Sequence, residues 1–538
     1  MACVGWRSAH HPERRGRRGD GRVAGCEHER RPRVTAARAG RPEVTVRDGV
    51  LRGVARDGVH VWRGVPFAAP PVGSHRFRAP APPAPWTGAR DAAEFGPVPV
   101  QEPIGEFIGA GKHTPMSEDC LSLSVTVPAT PSAIPRPVMV WLYGGAFVVG
   151  ASSASTYRGY DLVRRGEVVL VGVNYRLGSL GWLDFSDHST PEHPIESNLG
   201  LRDQIAALRW VRENIAAFGG DPDSVTVFGE SAGAISVTTL LTVPSAQGLF
   251  HRAIAESSAP GLAYSRKRAR GWAATFAAAL PGGAEDPAQA LRDASTDDLL
   301  RASRVLRHVA DDTPGVLVTA PTVDGDLLPE APLDAFAAGR SHPVPLLIGT
   351  NSTEGRLFEI PGMKVDLLVS DARADAMFAA TQPDRRDQVL AAYRGTPHRR
   401  DLGGDFMFWY PTVQVMETHG TNTGAPVFAY RFDLAPRLLR LLGLAATHGT
   451  ELYGVFGLID TRAGRVLTAL GGRRAFRALS ERMQRDWLHF ARHGRPASHW
   501  PAYEAPDRLT RILDVTDRVE SDPRRDRRLA WAGFRGYR

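Results

Sequence analysis

Cysteine and long apolar stretches are scarce in this 538-residue chain. Of its three cysteines, Cys3, Cys26 and Cys120, two lie near the N-terminus, so neither a disulfide framework nor a cysteine-rich metal site can be assembled. No run of 18 apolar residues is present, which argues against a transmembrane helix. The first residues also lack the apolar core of a secretory signal. With one unpaired cysteine in the body of the chain, we predict a cytoplasmic protein.

Lysine is nearly absent as well, and the basic charge is concentrated at one end of the chain. Arginine outnumbers lysine 63 to 3, and the formal net charge is +8. Residues 1–42 contain eleven arginines against four acidic residues, a balance of +7 that leaves +1 for the rest. We predict a basic, disordered tail over 1–42, one globular body over 43–520 and a basic C-terminal end over 521–538. The nearly neutral body does not favour nucleic acid as a partner, and the tail is either a leader without function or an anion-binding arm.

Short apolar runs alternate with helical patterns after residue 42. Six runs are rich in β-branched residues, and their continuous apolar character is typical of strands buried on both faces, as in a parallel sheet. Between the second and third runs, apolar residues recur at helical spacing from Ile205 to Phe218, and Gly219-Gly220 ends that helix. Strands that alternate with helices predict a doubly wound α/β sheet. The runs are PVMVWLY (137–143), EVVLVGVNY (167–175), SVTVFG (224–229), RAIAES (252–257), VPLLIGT (344–350) and VFAYRF (427–432).

Three other segments differ from this pattern. Residues 43–68 contain short alternating runs with glycine turns, which predict an antiparallel edge. Residues 262–310 and 366–400 are mostly helical and charged, and we expect these excursions to cover the C-terminal edge of the sheet. Because no internal repeat is visible, we predict one body with excursions rather than several domains.

The stretch TVFGESAGAIS (226–236) contains the pattern G-x-S-x-G around Ser231. In a chain with 55 glycines such a match decides nothing alone, but here a strand precedes it and a helical pattern follows, as a nucleophile elbow requires. Gly229 and Gly233 are small enough for strand and helix to approach closely. The helix N-terminus also directs amides towards developing negative charge. We therefore predict that Ser231 is a nucleophile.

A serine nucleophile needs a base and an orienting carboxylate, and in this architecture they follow in the order serine, acid, histidine. Glu354 comes just after the run at 344–350, and His448 lies in a glycine-flanked loop after the run at 427–432. Taken singly, Glu354 reads as a solvated loop residue and His448 equally well as a packing residue. Their order and their places after strands favour a shared site.

Backbone N–H groups must also stabilise the oxyanion that forms when a serine attacks a carbonyl group. Ala232, the residue after the nucleophile, is one expected donor. The glycine-rich turn Gly144-Gly145-Ala146 directly follows the run at 137–143 and is the expected source of the others. An ordinary glycine turn is the alternative interpretation of this segment.

The sequence resembles the type-B carboxylesterase/lipase family of α/β-hydrolases, and bacterial p-nitrobenzyl esterases in particular, over residues 43–505. The similarity implies a central, mostly parallel twisted sheet flanked by helices, an antiparallel N-terminal edge and helical excursions over the active site. The segments that carry it are WRGVPFAAPPVGSHRF (62–77), SEDCLSLSV (117–125), WLYGGAF (141–147), VNYRLGSLGW (173–182), NLGLRDQ (198–204), FGGDPDSVTVFGESAG (218–233), GTNSTEG (349–355), HGTELYGVFG (448–457) and WPAY (500–503).

Carried over by position, the resemblance implies Ser231 as nucleophile, Glu354 as acid and His448 as general base. Oxyanion donors fall on Gly145, Ala146 and Ala232, Ser257 is implied near the acid and base, and Glu230 is expected to face the site beside the nucleophile. The resemblance also implies two structural ion pairs, Arg76 with Glu118 and Arg176 with Asp203.

Three positions depart from the family pattern. Pro99 stands where the family often has the cysteine that pairs with the equivalent of Cys120, so no disulfide is implied here. Residues 87–140 contain no tryptophan, and the cation–π contact of a cholinesterase is therefore missing. Ala146 replaces a third glycine, which keeps the amide donor and adds a methyl group.

The predicted function is hydrolysis of small to medium, largely apolar carboxylic esters through an acyl-enzyme, with activity falling below an apparent pKa of about 6 to 7. A hydrolase of amides, carbamates or thioesters with the same triad, and a catalytically silent binding module of the same fold, are the alternatives. No cofactor is predicted; His188 and His193 lack a third metal ligand and are interpreted as loop residues. The segment APRLLRLLGLAA (435–446) is a candidate pocket wall or a core-packing helix. No membrane span is predicted, and the oligomeric state stays open.

Overall fold

The six apolar runs form parallel strands of one large sheet in the computed structural model, which describes residues 41–310, 313–360, 370–395, 400–497 and 499–537. The runs correspond to β7, β8, β9, β10, β13 and β14 among strands whose bounds are, in chain order, β1 Glu43–Val46, β2 Gly49–Arg52, β3 Val54–Arg56, β4 Val59–Pro66, β5 Ala89–Asp91, β6 Ser122–Pro128, β7 Arg136–Leu142, β8 Val169–Val173, β9 Gly220–Glu230, β10 Arg252–Glu256, β11 Tyr264–Ser265, β12 Thr322–Val323, β13 Leu346–Asn351, β14 Val427–Phe432, β15 Leu509–Leu513 and β16 Arg518–Ser521.

The strand order of this sheet is β16-β15-β14-β13-β10-β9-β7-β8-β6-β4-β3. All strands from β8 across to β15 run parallel, while β3, β4 and β6 are antiparallel to their neighbours and β16 is antiparallel to β15. The predicted antiparallel N-terminal edge is thus confirmed. Continuous apolar runs suit the central strands because helices cover both faces of the sheet.

Helices connect and flank the strands. The α-helices of the described residues are Tyr160–Gly166, Gly178–Trp182, Leu199–Asn214, Ala232–Leu240, Arg266–Ala278, Pro287–Asp293, Thr296–Ala310, Pro332–Ala337, Asp371–Ala380, Arg386–Ala391, Leu402–Gly404, Tyr410–Thr423, Arg437–Leu441, Leu452–Val455, Arg462–Leu467, Arg473–His493 and Arg525–Trp531, with a π-helical turn at Asp405–Trp409. Short 3-10 helices are Gly73–His75, Ser155–Tyr157, Ser186–His188, Ile215–Phe218, Pro244–Ala246, Glu354–Glu359, Pro383–Arg385 and Leu458–Asp460.

The predicted helix before the third run is present as Leu199–Asn214, and its apolar side chains face the sheet. A 3-10 turn extends it to Phe218, and Gly219 then adopts φ 76°. Glycine tolerates this left-handed conformation without steric cost, so the chain can turn directly into β9.

The described part of the C-terminal end packs into the same compact unit as the sheet, which spans Arg41–Arg538. Arg527 of the last helix is buried and forms ion pairs with Asp401 and with Asp405, 2.8 Å from the latter. The buried arginine thus fastens the end of the chain to the helical stretch that begins at Leu402. The predicted tail lies outside the described residues, apart from Arg41 and Pro42, and its boundary stays a prediction.

Both ion pairs that the resemblance implies are present. Arg76 binds Glu118 through two hydrogen bonds of 2.9 and 2.5 Å. Arg176 binds Asp203 through its backbone N–H, Nε and Nη2, at 3.0, 2.8 and 2.7 Å, and both side chains are almost inaccessible to solvent. Because a bidentate pair with every polar atom bonded is stable even when buried, these pairs fix the loops that follow β8 and precede β6.

Cys120 is a buried, free thiol next to Pro99, which lines the same small cavity. Burial is the main cause that raises the pKa of this thiol well above its usual value. Within the described ranges, no helix combines the length and the hydropathy needed to cross a membrane.

Candidate active site

Ser231 stands at the turn between β9 and the helix Ala232–Leu240, at φ 56° and ψ −124°. Residues other than glycine rarely adopt this backbone conformation, so the surrounding structure must enforce it. One constraint is a 3.0 Å hydrogen bond that the Ser231 N–H donates to the carbonyl oxygen of Glu256 at the end of β10. The serine therefore projects from a sharp strand-to-helix turn at the C-terminal edge of the sheet, as the motif predicts.

The small residues around Ser231 are required by close backbone contacts. A Cβ atom on Gly233 would stand 1.9 Å from the carbonyl oxygen of Leu142 in β7. A Cβ atom on Gly144 would stand 2.9 Å from Cβ of Ser231. The helix after the serine and the turn after β7 can thus meet only because both positions are glycine.

His448 and Glu354 form a direct hydrogen bond although they are distant in sequence. His448 Nδ1 donates to Glu354 Oε2 at 2.7 Å, and both side chains are buried. The other carboxylate oxygen of Glu354 accepts the backbone N–H of Asn351 at 2.6 Å. With its proton on Nδ1, the imidazole carries its lone pair on Nε2.

Glu230, the residue before the serine, faces the same histidine. Its Oε1 atom lies 3.3 Å from His448 Nε2, and neither of these two atoms has a hydrogen-bond partner within the described ranges. Burial raises the pKa of the Glu230 carboxyl. Burial by itself lowers the pKa of His448, but Glu230 and then Glu354 outweigh it, so the pKa of His448 lies above the usual imidazole value.

Three backbone amides lie where an oxyanion site is predicted. Gly145 and Ala146 have φ values of 122° and 53°, and together with Ala232 and Ser231 they line one pocket. The N–H groups of Gly145, Ala146 and Ala232 donate to no acceptor in the described residues. The turn after β7 therefore brings two of these amides to the pocket that Ser231 also lines, and their role as oxyanion donors stays a prediction.

Ser257, which the resemblance places near Glu354 and His448, forms its side-chain hydrogen bond with Glu451 instead. Its hydroxyl donates to Glu451 Oε1 at 2.5 Å, and no bond to His448 or Glu354 is formed. Asn351 donates from its side chain to the other oxygen of Glu451, so Glu451 joins Ser257 to the residue that holds Glu354. Burial, followed by the nearby Glu354 carboxylate, raises the pKa of Glu451.

Glu451 belongs to this hydrogen-bond network, and the sequence analysis did not identify it. It is fully buried, three positions after His448 in the motif HGTELYGVFG. The spacing is a signal from which Glu451 could have been predicted. A carboxylate three positions after His448 is either exposed to solvent or buried in the same site.

Two aromatic rings contact the histidine, and sequence patterns gave no sign of them. The Phe408 ring centroid lies 4.6 Å from that of His448, and the Phe358 centroid lies 5.2 Å from it. Phe408 belongs to the π-helical turn at Asp405–Trp409, a local widening of the helix that is frequent at functional sites. The two rings cover part of the His448 imidazole, which is buried.

Ser231 and His448 open into one pocket of about 2030 Å³. No hydrogen bond joins Ser231 Oγ to His448 Nε2 in this structure. The predicted excursions contribute to the walls through the helix Thr296–Ala310 and through Arg373 and Arg400. Most of the lining is aliphatic or aromatic, including Ile104, Phe107, Leu180, Leu299, Leu317, Phe358, Met407 and Phe408.

The segment 435–446 does not line this pocket, so its interpretation as a pocket wall was wrong. Its helix is short, Arg437–Leu441, and packs only one side against the body. His188 lies in a 3-10 turn and His193 in the following loop, and no set of three or more potential metal ligands occurs among the residues that the structure describes.

Comparison with known proteins gives one consistent result. The profile of the Carboxylesterase family matches residues 40–531. The chain is 38% identical to para-nitrobenzyl esterase of Bacillus subtilis (strain 168) over 489 residues, covering 90% of this chain and 97% of that protein. It is 34% identical to carboxylesterase 4A of Bos taurus, covering 91% and 94% of the two chains. A solved structure of a PNB esterase superimposes with a TM-score of 0.81 at 38% identity and covers 91% of this chain and 99% of its own.

Proposed function

Because the chain belongs to the carboxylesterase family, has its α/β-hydrolase fold and hydrolyses carboxylic esters as a type-B serine carboxylesterase, we propose that Ser231, His448 and Glu354 are its catalytic triad. The observation that carries the assignment is the 2.7 Å bond from His448 Nδ1 to Glu354, in the same pocket as a serine held at a strained turn. Replacing the three residues one at a time tests it, because each change removes a different part of the reaction.

In the first step, His448 Nε2 takes the proton of the Ser231 hydroxyl while Oγ attacks the ester carbonyl carbon. The tetrahedral oxyanion accepts hydrogen bonds from the amides of Gly145, Ala146 and Ala232, which donate to no other acceptor in the part of the chain that the structure describes. The imidazolium then gives its proton to the departing alkoxide, and the alcohol leaves the acyl-enzyme. Glu354 keeps the neutral imidazole in the productive tautomer and stabilises its cation.

In the second step, a water molecule takes the place of the alcohol. His448 removes one proton from the water as its oxygen attacks the acyl carbon. The same three amides stabilise the second oxyanion, and His448 returns the proton to Ser231 Oγ as the carboxylic acid is released. The same three donors therefore serve both halves of the reaction, and Ser231, His448 and Glu354 end the cycle in the protonation states in which they began it.

The pocket supports small to medium, largely apolar esters as substrates. Its walls are mainly aliphatic and aromatic, which favours transfer of apolar acyl and alcohol groups from water. A volume of about 2030 Å³ leaves ample room for such esters. The charged residues Arg304, Arg307, Arg373 and Arg400 line the same pocket.

Replacing Glu230 with glutamine is expected to move the acidic limb of the kcat/KM profile to lower pH. The Glu230 carboxylate stabilises imidazolium and so raises the pKa of His448, and the base form is lost as pH falls through that raised value. In the wild type the limb should therefore lie above about pH 6.5, the ordinary histidine pKa and the middle of the range predicted from sequence. Glutamine keeps the shape of the side chain but removes its charge.

The measurement is kcat/KM for one p-nitrophenyl ester between pH 5 and 9, corrected for product ionisation. Glu330→Gln is the matched control, because Glu330 pairs with Arg340 at the surface and does not line the pocket. An unchanged limb in Glu230→Gln, or an equal shift in the control, would show that Glu230 does not set the pKa of the base.

Replacing Glu451 with alanine is expected to lower kcat by between about 10-fold and 100-fold, with little change in KM. The change leaves the Ser257 hydroxyl and the Asn351 side chain buried without an acceptor, and Asn351 is the residue whose N–H holds Glu354. The measurement is steady-state kinetics at the pH optimum together with thermal unfolding. Glu451→Gln keeps one acceptor oxygen and should recover part of the loss. A wild-type kcat in a folded Glu451→Ala protein would contradict the positioning role.

A further inference from the structure

The segment 435–446 carries two exposed leucines that the pocket and the core do not use. Leu441 is 75% exposed and Leu442 is 61% exposed, at the end of the short helix Arg437–Leu441. Single exposed aliphatic residues are common on proteins, but two adjacent leucines at this exposure are costly to keep in water. A role for them outside the folded core is therefore worth seeking.

A second exposed apolar pair lies in a segment that neighbours this helix. Val466 is 60% exposed and Leu470 is 50% exposed. The two segments touch at two glycines. Cδ of Arg437 lies 3.8 Å from the position that a Cβ atom on Gly471 would take, and Cα of Pro436 lies 3.7 Å from the position that a Cβ atom on Gly472 would take. Residues 436–442 and 462–474 are thus adjacent at these positions, and the exposed residues of the two segments are here named the leucine–arginine surface.

The charge of this surface has one sign. Between residues 435 and 480 the chain has seven arginines and only two acidic residues. Glu451 is buried, and Asp460 is bound by Arg473 and Arg477. Five arginines have no ion-pair partner within the described ranges, and all five are exposed: Arg437, Arg440, Arg462, Arg465 and Arg474.

The leucine–arginine surface adjoins the entrance of the pocket. Gly443, the residue after the exposed leucines, accepts a hydrogen bond from Arg356 and lies against the guanidinium of Arg400. Arg400 lines the pocket, as does Ile360, which is partly exposed. A layer bound to this surface would therefore lie beside the opening through which a substrate enters.

We propose that the leucine–arginine surface binds the surface of an anionic lipid layer. Transfer of exposed leucine side chains from water to the boundary between headgroups and acyl chains is favourable. Arginines beside them pair with lipid phosphates. The guanidinium group suits this role because it binds phosphate in a bidentate manner while its stem lies along apolar groups.

The apolar side chains favour lipid over other polyanions. Nucleic acid or an acidic protein segment would neutralise the five arginines but would leave Leu441 and Leu442 in water. A lipid layer satisfies both sets of groups at once. As a consequence that rests on the proposed function, esters dissolved in the lipid would reach the pocket without first crossing bulk water.

The test is co-sedimentation of the full chain with vesicles of phosphatidylcholine alone and with 30 mol% phosphatidylglycerol, at several salt concentrations. We expect partitioning into the anionic vesicles only, and a loss of about tenfold or more in the partition coefficient for Leu441→Ser/Leu442→Ser. Arg437→Gln/Arg440→Gln should lose about fivefold for each arginine, and the loss should shrink as salt increases.

The matched control is Ile134→Ser, since Ile134 is 70% exposed just before β7, at the opposite edge of the parallel strands. All variants should keep the wild-type kcat/KM for a soluble ester, which separates this proposal from the assignment of the triad. Wild-type protein that stays in solution with anionic vesicles would overturn the proposal. So would partitioning that the leucine variant retains in full, because binding would then be purely electrostatic or located elsewhere in the chain.

Discussion

Replacing Ser231 with alanine should lower kcat for a short p-nitrophenyl ester by about 10³-fold or more. The hydroxyl oxygen is the atom that forms the acyl-enzyme, so its loss removes the covalent route altogether. Residual activity would come from water attacking an ester that the oxyanion amides still bind, which explains why the expected loss is finite. The fold should be unaffected, because the turn at Ser231 is held by its backbone N–H and by Gly233 rather than by the side chain.

The measurement is steady-state turnover of purified protein, with thermal unfolding as a check on the fold. Ser303→Ala is the matched control, because Ser303 lines the same pocket and its hydroxyl bonds only to the carbonyl of Leu299 in its own helix. Wild-type turnover by Ser231→Ala would refute the assignment of the nucleophile. A comparable loss in Ser303→Ala would point instead to a disturbed pocket.

Replacing Arg176 with methionine should lower the free energy of unfolding by about 3–5 kcal/mol. Asp203 would remain fully buried, and the two hydrogen bonds from the guanidinium to its carboxylate would be gone. Arg176 also donates to the carbonyl of Arg78, so the segment between β4 and β5 would lose a hydrogen bond that holds it. An isolated buried charge is far more costly than the pair is stabilising, which is why one substitution has so large an effect.

Urea unfolding followed by tryptophan fluorescence measures this loss. Arg47→Met is the control, because Arg47 pairs with Glu213 at 2.8 Å where both side chains are exposed, and its loss should change the stability far less than the loss of Arg176. The double variant Arg176→Met/Asp203→Leu should recover much of the stability, since no unpaired charge remains. Equal losses for Arg176→Met and Arg47→Met would show that burial does not decide the strength of these pairs.

The sequence predicts the sheet well where local pattern and burial agree. All six apolar runs are strands, because a strand covered on both faces leaves a continuous apolar signature that neighbours do not alter. The elbow is equally predictable, since Ser231 needs small residues at fixed positions nearby. Glu354 and His448 follow from the order of the chain and from the rule that sites form at the C-terminal ends of parallel strands.

The rest depends on contacts between distant segments. Phe408 reaches His448 only because a π-helical turn redirects it, and no local pattern announces such a turn. The bond between Ser257 and Glu451 joins residues that are far apart in the chain, so neither residue type nor spacing reveals it. Leu441 and Leu442 look like core residues in sequence, and only the position of their short helix leaves them exposed.

The position of β9 in the sheet also has a consequence for how the protein acquires its activity. β9 pairs with β7 on one side and β10 on the other, while His448 follows β14, far beyond Ser231 in the chain. Contacts that close such long loops form late in folding, because the entropy of the intervening chain must be lost first. During synthesis the nucleophile's turn can therefore be complete while its base is still missing. On the proposed assignment of the triad, we therefore expect esterase activity to appear only when the segment that carries His448 has docked.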